Sequence, residues 1–269
     1  MTMMNLNSSL FNIPLVNNVL YYDTIDSTNN KAKELAKRGS VHGSLVVAKS
    51  QTSGKGRLGR SFDSLSDDGL YFSLMLRPRV NPNHLSGITL VAALAVSKSI
   101  DKISSTKTSI KWPNDIYLGQ KKLAGILTEA GSDYVVLGIG INVNTSSFND
   151  ELLHTATSLY LETTTIFQKE DLLEHILYEF SALYDQFIKS DTLSFMTEDY
   201  NRRLGCLNKE VYIIPQNRSL QSNNPSLIDV SDLSPMTCNG INSEGALICY
   251  DEQNKIHFIN SGEVSLRII

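Results

Sequence analysis

The sequence predicts a mixed α/β domain followed by a small β-barrel. Between residues 20 and 145, helix-forming segments alternate with β-rich runs, a pattern typical of a mixed α/β domain. After about residue 205, short β-rich runs alternate with turn-rich segments instead. With 269 residues, of which 41% are hydrophobic, the chain is long enough for one large domain and a small module. We therefore predict domains at 1–205 and 206–269.

The elements of the first domain follow from local patterns. "DSTNNKAKELAKRG" at 26–39 predicts a helix with polar N-cap candidates and Gly39 as its stop. A mostly apolar helix is predicted at about 85–104, and apolar residues at three- and four-residue spacing predict helix over about 168–204. The predicted strands are "SLVVAKS", "GLYFSLMLRP", "TSIKW", "KLAGILTEA" and "YVVLGIGINV".

The C-terminal part has its own set of short strands. They are predicted at "EVYIIP", "GALICY", "KIHFI" and "VSLRI". "QNRSLQSNNPS" and "SDLSPMTCNGINSEG" are predicted as the turn-rich segments between them.

Composition disfavours several classes of function. A formal net charge of -4 and a pI near 5.7 argue against a general nucleic-acid binder. The longest apolar stretch, 85–100, is too short and too polar to cross a membrane, and the N-terminus lacks the pattern of a secretory signal, so we expect a cytoplasmic protein. Cys206, Cys238 and Cys249 are too few and too scattered for a disulfide framework, and no CxxC pair suggests a metal site. We expect ordinary buried or half-buried thiols.

A cationic glycine loop, "SGKGRLGR" at 53–60, is the first candidate site. Its glycines allow backbone N–H groups to approach a ligand, and its interleaved cations suit phosphate or carboxylate oxygens. It lacks the GxxxxGK[ST] pattern of a P-loop. The alternative is a solvated basic turn between two strands.

Two further segments have both a functional and a plain structural interpretation. "KWPND" at 111–115 combines the only tryptophan with turn-forming residues, and a hairpin turning at Gly119–Gln120 follows it. Strand alternation places Lys122 with Ala124 and Ile126 on one face and Lys121 on the other, so one lysine should point towards a site unless both extend into water.

In "LGIGINV", Gly138, Gly140 and Asn142 share one face, which fits the floor of a pocket or tight packing of a helix on the sheet.

Four segments together resemble the biotin protein ligases. They are "DSTN" at 26–29, "QTSGKGRLGR" at 51–60, "KWPNDIYLGQKKLAGILTE" at 111–129 and "GIGINVN" at 138–144. "GEVSLR" at 262–267 resembles the end of that family's C-terminal SH3-like barrel. The resemblance implies a catalytic domain of the biotin/lipoate ligase type, similar to class II synthetases. Some members carry an N-terminal DNA-binding domain; only about 20 residues precede the first motif here, so we expect the short form.

The resemblance also implies a reaction. Biotin and ATP would form biotinyl-5′-AMP and diphosphate, and a lysine of a biotin carboxyl carrier domain, part of a biotin-dependent carboxylase, would then accept the biotinyl group. Mg²⁺ is expected with ATP, without a dedicated protein metal site. No nucleic acid or membrane is expected as a partner, and the oligomeric state stays open.

Site residues are implied position by position. The catalytic set is Arg57, Lys111, Asp115 and Lys122. The biotin-binding set is Ser27, Thr28, Asn29, Gln51, Lys55, Gly56, Arg57, Lys122, Gly125, Leu127, Gly138 and Gly140. The nucleotide-binding set is Gly54, Lys55, Arg57, Arg60, Phe62 and Asn142. Ser27 and Thr28 can also be helix N-caps.

The sequence departs from the family pattern at three places. Lys55 stands where arginine is common, and Phe62 stands where a tryptophan often covers the adenine. The segment 216–235 is longer than the usual barrel loop. Two other functions remain open: a lipoate–protein ligase, and a non-catalytic sensor of biotin or nucleotide.

Overall fold

A seven-stranded mixed sheet forms the centre of the first part of the chain. The computed structural model describes residues 10, 12–64, 66–215, 218, 228–261 and 264–268. The strand order is β1-β2-β3-β7-β6-β5-β4; β1 and β2 are parallel and the other neighbours antiparallel. The strands are β1 (Asn18–Ile25), β2 (Ser44–Gln51), β3 (Leu70–Leu76), β4 (Thr108–Lys111), β5 (Asp115–Leu118), β6 (Lys121–Ala130) and β7 (Val135–Ile141).

Helices pack on both faces of this sheet. They are α1 (Thr28–Lys37), α2 (Gly87–Ser104), α3 (Leu159–Thr163), α4 (Lys169–Ser190) and α5 (Thr197–Arg203). The mostly apolar α2 packs between the sheet and α4 and belongs to the main hydrophobic core, as expected for a helix covered on more than one side. Helix α1 packs on the opposite face over a second, smaller core. The rest of that face is left for the glycine loop.

A second, five-stranded antiparallel sheet follows. Its order is β11-β10-β9-β8-β12. Its strands are β8 (Glu210–Pro215), β9 (Met236–Ile241), β10 (Leu247–Tyr250), β11 (Ile256–Ile259) and β12 (Val264–Ile268). The predicted fold class, a mixed α/β part followed by a small all-β part, is confirmed. The domain boundary at 205/206 stays a prediction.

Direct hydrogen bonds join the two sheets. Trp112 Nε1 donates to the carbonyl oxygen of Gly245 over 3.1 Å, and the backbone N–H of Gly205 donates to the carbonyl of Ile110 over 2.9 Å. From α5, Asn201 Oδ1 accepts from the backbone N–H of Ile241 at 2.9 Å. The tryptophan of "KWPND" is therefore part of the joint between the sheets.

The structure corrects several predicted elements. The region 168–204 forms two helices, because α4 ends where Asp191 takes a left-handed conformation (φ 50°). The segment 236–241, predicted as turn, is strand β9: its turn-forming residues alternate with the buried Cys238 and precede the buried Ile241. Strand β1 and helix α3 were not predicted.

Two predicted features fall partly outside the described residues. The long segment 216–235 lacks a description for residues 216, 217 and 219–227. In "GEVSLR", the first two residues lie outside the described part. Among the helices that the structure describes, none combines the length and the apolar character needed to span a bilayer.

Candidate active site

The floor of the site is a row of neighbouring residues across five strands. Lys111 on β4 is paired with Asp115 on β5, Asp115 with Gly125 on β6, Gly125 with Gly140 on β7, and Gly140 with Tyr71 on β3. Directly paired residues of antiparallel strands share one face of the sheet. The row therefore brings a lysine and a carboxylate next to two bare glycine positions.

A second row explains why Gly138 has no side chain. Gly138 is paired with Ser73 on one side and Leu127 on the other. A methyl group on Gly138 would lie 1.9 Å from Oδ1 of Asn29, which comes down from the first turn of α1. As predicted, the glycines of "GIGIN" share one face, whereas Ile139 and Ile141 lie in the main core on the other.

A β-bulge in the hairpin decides where Lys122 points. Tyr117 on β5 is paired with Lys122 and Ile116 with Ala124, so Leu123 is one extra residue on β6. Leu123 and Ala124 are consecutive yet both lie in the core, and simple alternation fails here. Lys122 consequently shares the face of Asp115, with its Nζ 2.7 Å from Asp115 Oδ1, which corrects its predicted pairing with Ala124 and Ile126.

The glycine loop folds back on itself above this floor. Gly56 N–H donates to the carbonyl of Arg60 over 2.7 Å, and Phe62 N–H donates to the carbonyl of Gly54 over 3.0 Å. Between them a short 3₁₀ turn ends at Gly59, whose φ of +74° favours glycine. The Phe62 ring then lies over Gly140, where a methyl group would be only 2.8 Å from it.

A chain of hydrogen bonds joins the loop arginine to the floor. Arg57 donates to Asn114 Oδ1 over 2.9 Å, and it also donates to the carbonyl oxygen of Ser261 from the C-terminal part. Asn114 Nδ2 in turn donates to Asp115 Oδ1 over 3.0 Å and to the carbonyl of Ile126 over 3.1 Å. The Asn114 amide thus links Arg57 to Asp115. From the sequence, Asn114 was expected only to form a turn.

The cations of this group are partly removed from water. Burial lowers the pKa of Arg57, although the Asp115 charge opposes that shift. Burial likewise lowers the pKa of Lys111, helped by the charges of Lys122 and Arg60. The Lys111 ammonium also lies 5.4 Å from the centre of the Tyr117 ring. Several positive groups around one carboxylate make a site whose unbalanced charge would be neutralised by an anion.

A cavity of about 710 Å³ adjoins this group. Of the predicted site residues, its lining includes Gly54, Lys55, Gly56, Arg57, Arg60 and Leu127. Ser261 of the C-terminal part and Glu129 of β6 also line it. The remaining predicted residues lie outside this lining; of these, Gly125 and Gly140 lie against Phe62, and Ser27, Thr28, Asn29 and Gln51 lie in the buried network at the start of α1.

That network joins α1 to the end of β2. The backbone N–H and the hydroxyl of Thr28 both donate to Gln51 Oε1, over 2.8 and 3.1 Å. Asn29 Nδ2 donates to Glu129 Oε2 over 2.9 Å, and Ser73 Oγ lies 2.6 Å from Asn29 Oδ1. Ser27 is buried at the N-cap position but makes no capping hydrogen bond with its side chain.

Comparison with known proteins assigns this arrangement to a family. Residues 21–145 match the Biotin/lipoate A/B protein ligase family. The structure is similar to that of the biotin protein ligase of Aquifex aeolicus in complex with biotin and ATP, with a TM-score of 0.79 and 30% identity, covering 94% of this chain and 100% of that one. The chain belongs to the biotin/lipoate protein ligase family.

Curated relatives of the family match part of the chain. The Bifunctional ligase/repressor BirA of Bacillus spizizenii is 40% identical over 177 residues, which are 63% of this chain and 54% of that protein. The Biotin--[acetyl-CoA-carboxylase] ligase of Mycobacterium tuberculosis is 33% identical over 145 residues, covering 51% of this chain and 54% of that protein. The chain thus matches about half the length of these curated relatives. The predicted family and its catalytic fold are confirmed.

Other predicted positions of the candidate site have local partners. Lys55 Nζ donates to Asn30 Oδ1 over 2.7 Å, next to α1. Asn142 is buried, and its Nδ2 donates to the carbonyl of Thr157 over 3.0 Å. Lys121, the residue before Lys122, donates to the carbonyl of Leu153 over 3.1 Å. Binding roles for Lys55 and Asn142 stay predictions.

Three polar residues of the candidate site were not predicted from the sequence. They are Asn114, Ser73 and Glu129. Asn114 and Glu129 lie inside the quoted motif "KWPNDIYLGQKKLAGILTE", so the motif could have indicated them as site residues. Ser73 lies in an apolar run, and nothing in the sequence indicated a role in the site. Across the described part of the chain, no group of three or more His, Cys, Asp or Glu side chains is arranged to hold a metal ion.

Proposed function

We propose that this chain is an ATP-dependent biotin ligase. It would join biotin to ATP as biotinyl-5′-AMP with release of diphosphate, and then transfer the biotinyl group to a lysine of a biotin carboxyl carrier domain. One observation carries the proposal: Lys111, Lys122 and Arg57 surround Asp115 at the edge of a glycine floor. The solved Aquifex aeolicus relative holds biotin and ATP, which supports both as substrates here.

The first step needs positive charge where two anions meet. The biotin carboxylate attacks the α-phosphate of ATP, and negative charge builds on the phosphate oxygens. Arg57 offers a guanidinium fork, and Lys111 and Lys122 offer ammonium groups from the sheet. Lys122 Nζ is 2.7 Å from Asp115, so the anion would compete with Asp115 for this lysine. Partial burial strengthens each of these interactions.

The loop has a separate role, which is to keep water from the mixed anhydride. Phe62 already covers Gly125 and Gly140, and the loop is closed by the Gly56–Arg60 and Phe62–Gly54 hydrogen bonds. In the proposed complex, the Phe62 ring moves aside to stack on adenine and the loop covers the intermediate. Ser27, Thr28, Asn29 and Gln51 would surround the fused rings of biotin.

In the transfer step, Asp115 would receive the acceptor lysine. Its carboxylate is held by Lys122 and Asn114 and can attract an ammonium group and accept a proton as the amine attacks the carbonyl. Asp115→Asn should therefore slow transfer from preformed biotinyl-AMP far more than it slows adenylate formation. Equal rates of transfer in wild type and variant, measured in a single turnover, would remove this role.

Mg²⁺ would enter with the nucleotide. Magnesium in such sites is typically bound by one or two carboxylates and by substrate phosphates, and the Asp115 carboxylate in the cationic row fits that pattern. The ion supplies charge neutralisation for the departing diphosphate. The residues of this chain would hold the α-phosphate and position the two reacting groups.

We also infer how the chain is organised. Two separate sheets, β1–β7 and β8–β12, support a domain boundary near 205. Consumption of ATP supports the cytoplasm as the compartment of the reaction.

Mass spectrometry of an apo carrier domain tests the proposal directly. The domain is incubated with this protein, ATP, Mg²⁺ and biotin, and parallel reactions replace biotin by lipoate or omit ATP. We expect one biotinyl group on the carrier lysine only with ATP and biotin. Lipoyl addition would favour the lipoate–protein ligase, and tight biotin binding without any transfer would favour the sensor. Lys122 and Arg57 argue against a sensor, because binding alone does not need this charged set.

A further inference from the structure

Three thiols that are far apart in sequence meet beside the joint between the two sheets. Cys206 follows α5 by three residues, Cys238 lies on β9 and Cys249 on β10. The sulfur atoms of Cys206 and Cys238 are 3.3 Å apart, and Cys249 is the direct cross-strand neighbour of Cys238. Each of the three is at most 1% exposed. As expected, all three are free, buried thiols, but the fold brings them together.

The backbone holds Cys206 and Cys238 in place on both sides. Asn208 N–H donates to the carbonyl of Cys238 over 2.8 Å, and Cys238 N–H donates to the carbonyl of Lys209 over 3.0 Å. Lys209 N–H donates back to the carbonyl of Cys206 over 3.0 Å. A disulfide needs a sulfur separation of about 2.05 Å, so the two sulfurs have only slightly more than 1 Å to close.

The pKa values of the clustered thiols are shifted in opposite directions, which suits thiol–disulfide exchange. Hydrogen bonds from Cys206 and Cys249 to the Cys238 sulfur hold the pKa of Cys238 below its usual range, although burial opposes this. The pKa of Cys206 is raised by its hydrogen bond to Cys238 and by burial. Cys238 is thus the group that most readily becomes the thiolate, the form that attacks a disulfide. Nearby, the hydroxyl of fully buried Tyr200 has no hydrogen-bond partner among the described residues.

We propose that Cys206 and Cys238 form a redox modification site, converted to an intramolecular disulfide by a low-molecular-weight disulfide. The Cys238 thiolate attacks one sulfur of the small disulfide, giving a mixed disulfide and one free thiol. The Cys206 thiolate then attacks Cys238 Sγ and releases the second small thiol. The protein loses two protons and two electrons, and the oxidant is reduced to two thiols. Because both sulfurs are buried, reaction follows a local opening of the joint.

The bond would fasten the segment 206–209 to β9. That segment follows Leu204 and Gly205, which contact Ile110 on β4, and Ile110 precedes Lys111 of the proposed active site. Cys206 and Cys238 are 32 residues apart in sequence, so closing this loop restricts the unfolded chain and should raise Tm by about 5–10 °C. The site would stabilise the joint next to the cationic row.

Alkylation after oxidation tests the site in the full chain. The folded protein is incubated with oxidised glutathione. It is then unfolded with a denaturant in the presence of N-ethylmaleimide, which alkylates the free thiols. We expect one maleimide, on Cys249, instead of three, a net loss of two hydrogens, and a peptide that joins residues 206 and 238. Three alkylated cysteines, stable glutathione adducts alone, or a link between Cys238 and Cys249 would overturn the proposal.

Serine variants separate the two possible pairs. Cys249→Ser should keep both the link and the rise in Tm on oxidation, whereas Cys206→Ser should lose both. The same Tm rise in Cys206→Ser would contradict the assignment. Neither measurement depends on ligase activity, so the outcome is independent of the proposed function. Wild-type mapping also stands if a variant fails to fold.

Discussion

Gly138→Ala is the sharpest test of the bare floor. The added methyl group would lie 1.9 Å from Oδ1 of Asn29 and 2.7 Å from its Cγ, so Asn29 must leave its position. In a strand without such a neighbour, alanine would instead stabilise the fold relative to glycine. A loss of stability in Gly138→Ala would therefore indicate the contact with Asn29, and a gain would indicate its absence.

The expected magnitude follows from what Asn29 loses. Its hydrogen bond to the Glu129 carboxylate, 2.9 Å long, is worth about 1.5–3 kcal/mol, and its contact with Ser73, 2.6 Å long, about 1 kcal/mol. Alanine returns about 0.5–1 kcal/mol by restricting the unfolded chain. We expect a net loss of about 1.5–3.5 kcal/mol in the free energy of unfolding.

Urea unfolding followed by far-UV circular dichroism measures this loss. Gly125→Ala is the matched control, because on the same sheet face the nearest neighbours of its methyl group would be the flexible end of Lys122, at 3.2 Å, and the Phe62 ring, at 3.4 Å. That variant should stay within about 1 kcal/mol of wild type. Asn29→Ala should reduce the cost of Gly138→Ala in the double variant. A Gly138→Ala protein as stable as wild type, or an undiminished cost in the Asn29→Ala background, would refute the reasoning.

Three further changes probe the loop, the amide link and a carboxylate. Gly54→Ala would place a methyl group 2.4 Å from the Phe62 carbonyl oxygen, so the loop should open and the KM for biotin should rise; an unchanged KM would contradict this. Asn114→Ala should slow transfer from biotinyl-AMP on the order of 100-fold, because Arg57 and Asp115 lose their link, while circular dichroism stays unchanged; equal single-turnover rates would argue against the link. Burial raises the pKa of Glu129, but hydrogen bonds from Lys33 and Asn29 outweigh it and lower the pKa. Its stabilisation is thus present above its unfolded pKa, about 4.3, and is lost as pH falls through the lower folded value, so Glu129→Gln should show a smaller loss of stability on acidification than wild type.

Local patterns predicted most of the helices and strands but not their interruptions. The spacing of apolar residues extended one helix over 168–204, yet the left-handed Asp191 ends α4, a backbone state that periodicity does not show. Strand β9 was hidden because Thr237 and Asn239 suit an exposed strand face and a turn equally well. Such choices are made by tertiary pairing.

The site residues were identified by motif, and their contacts came from the fold. Lys122 was expected near the charged groups, but alternation gave the wrong neighbours because a bulge is invisible to a period of two. Asn114 and Glu129 act through hydrogen bonds to residues that are 57 and 100 positions away. The three cysteines show the same limit, since only the pairing of β9, β10 and the segment after α5 brings them together.

Because Leu123 is an extra residue in the hairpin, a change in the number of residues should be tolerated less well than a change of residue type. With this extra residue, strand β6 presents the Lys122 ammonium group to the face of Asp115 while two successive apolar residues enter the interior. Deleting a single residue here would reverse the direction of Lys122 and carry its charge into the main core. Surface replacements at Lys121 leave that direction intact. A graft of this hairpin onto another sheet would have to include the insertion to keep its lysine on the working side.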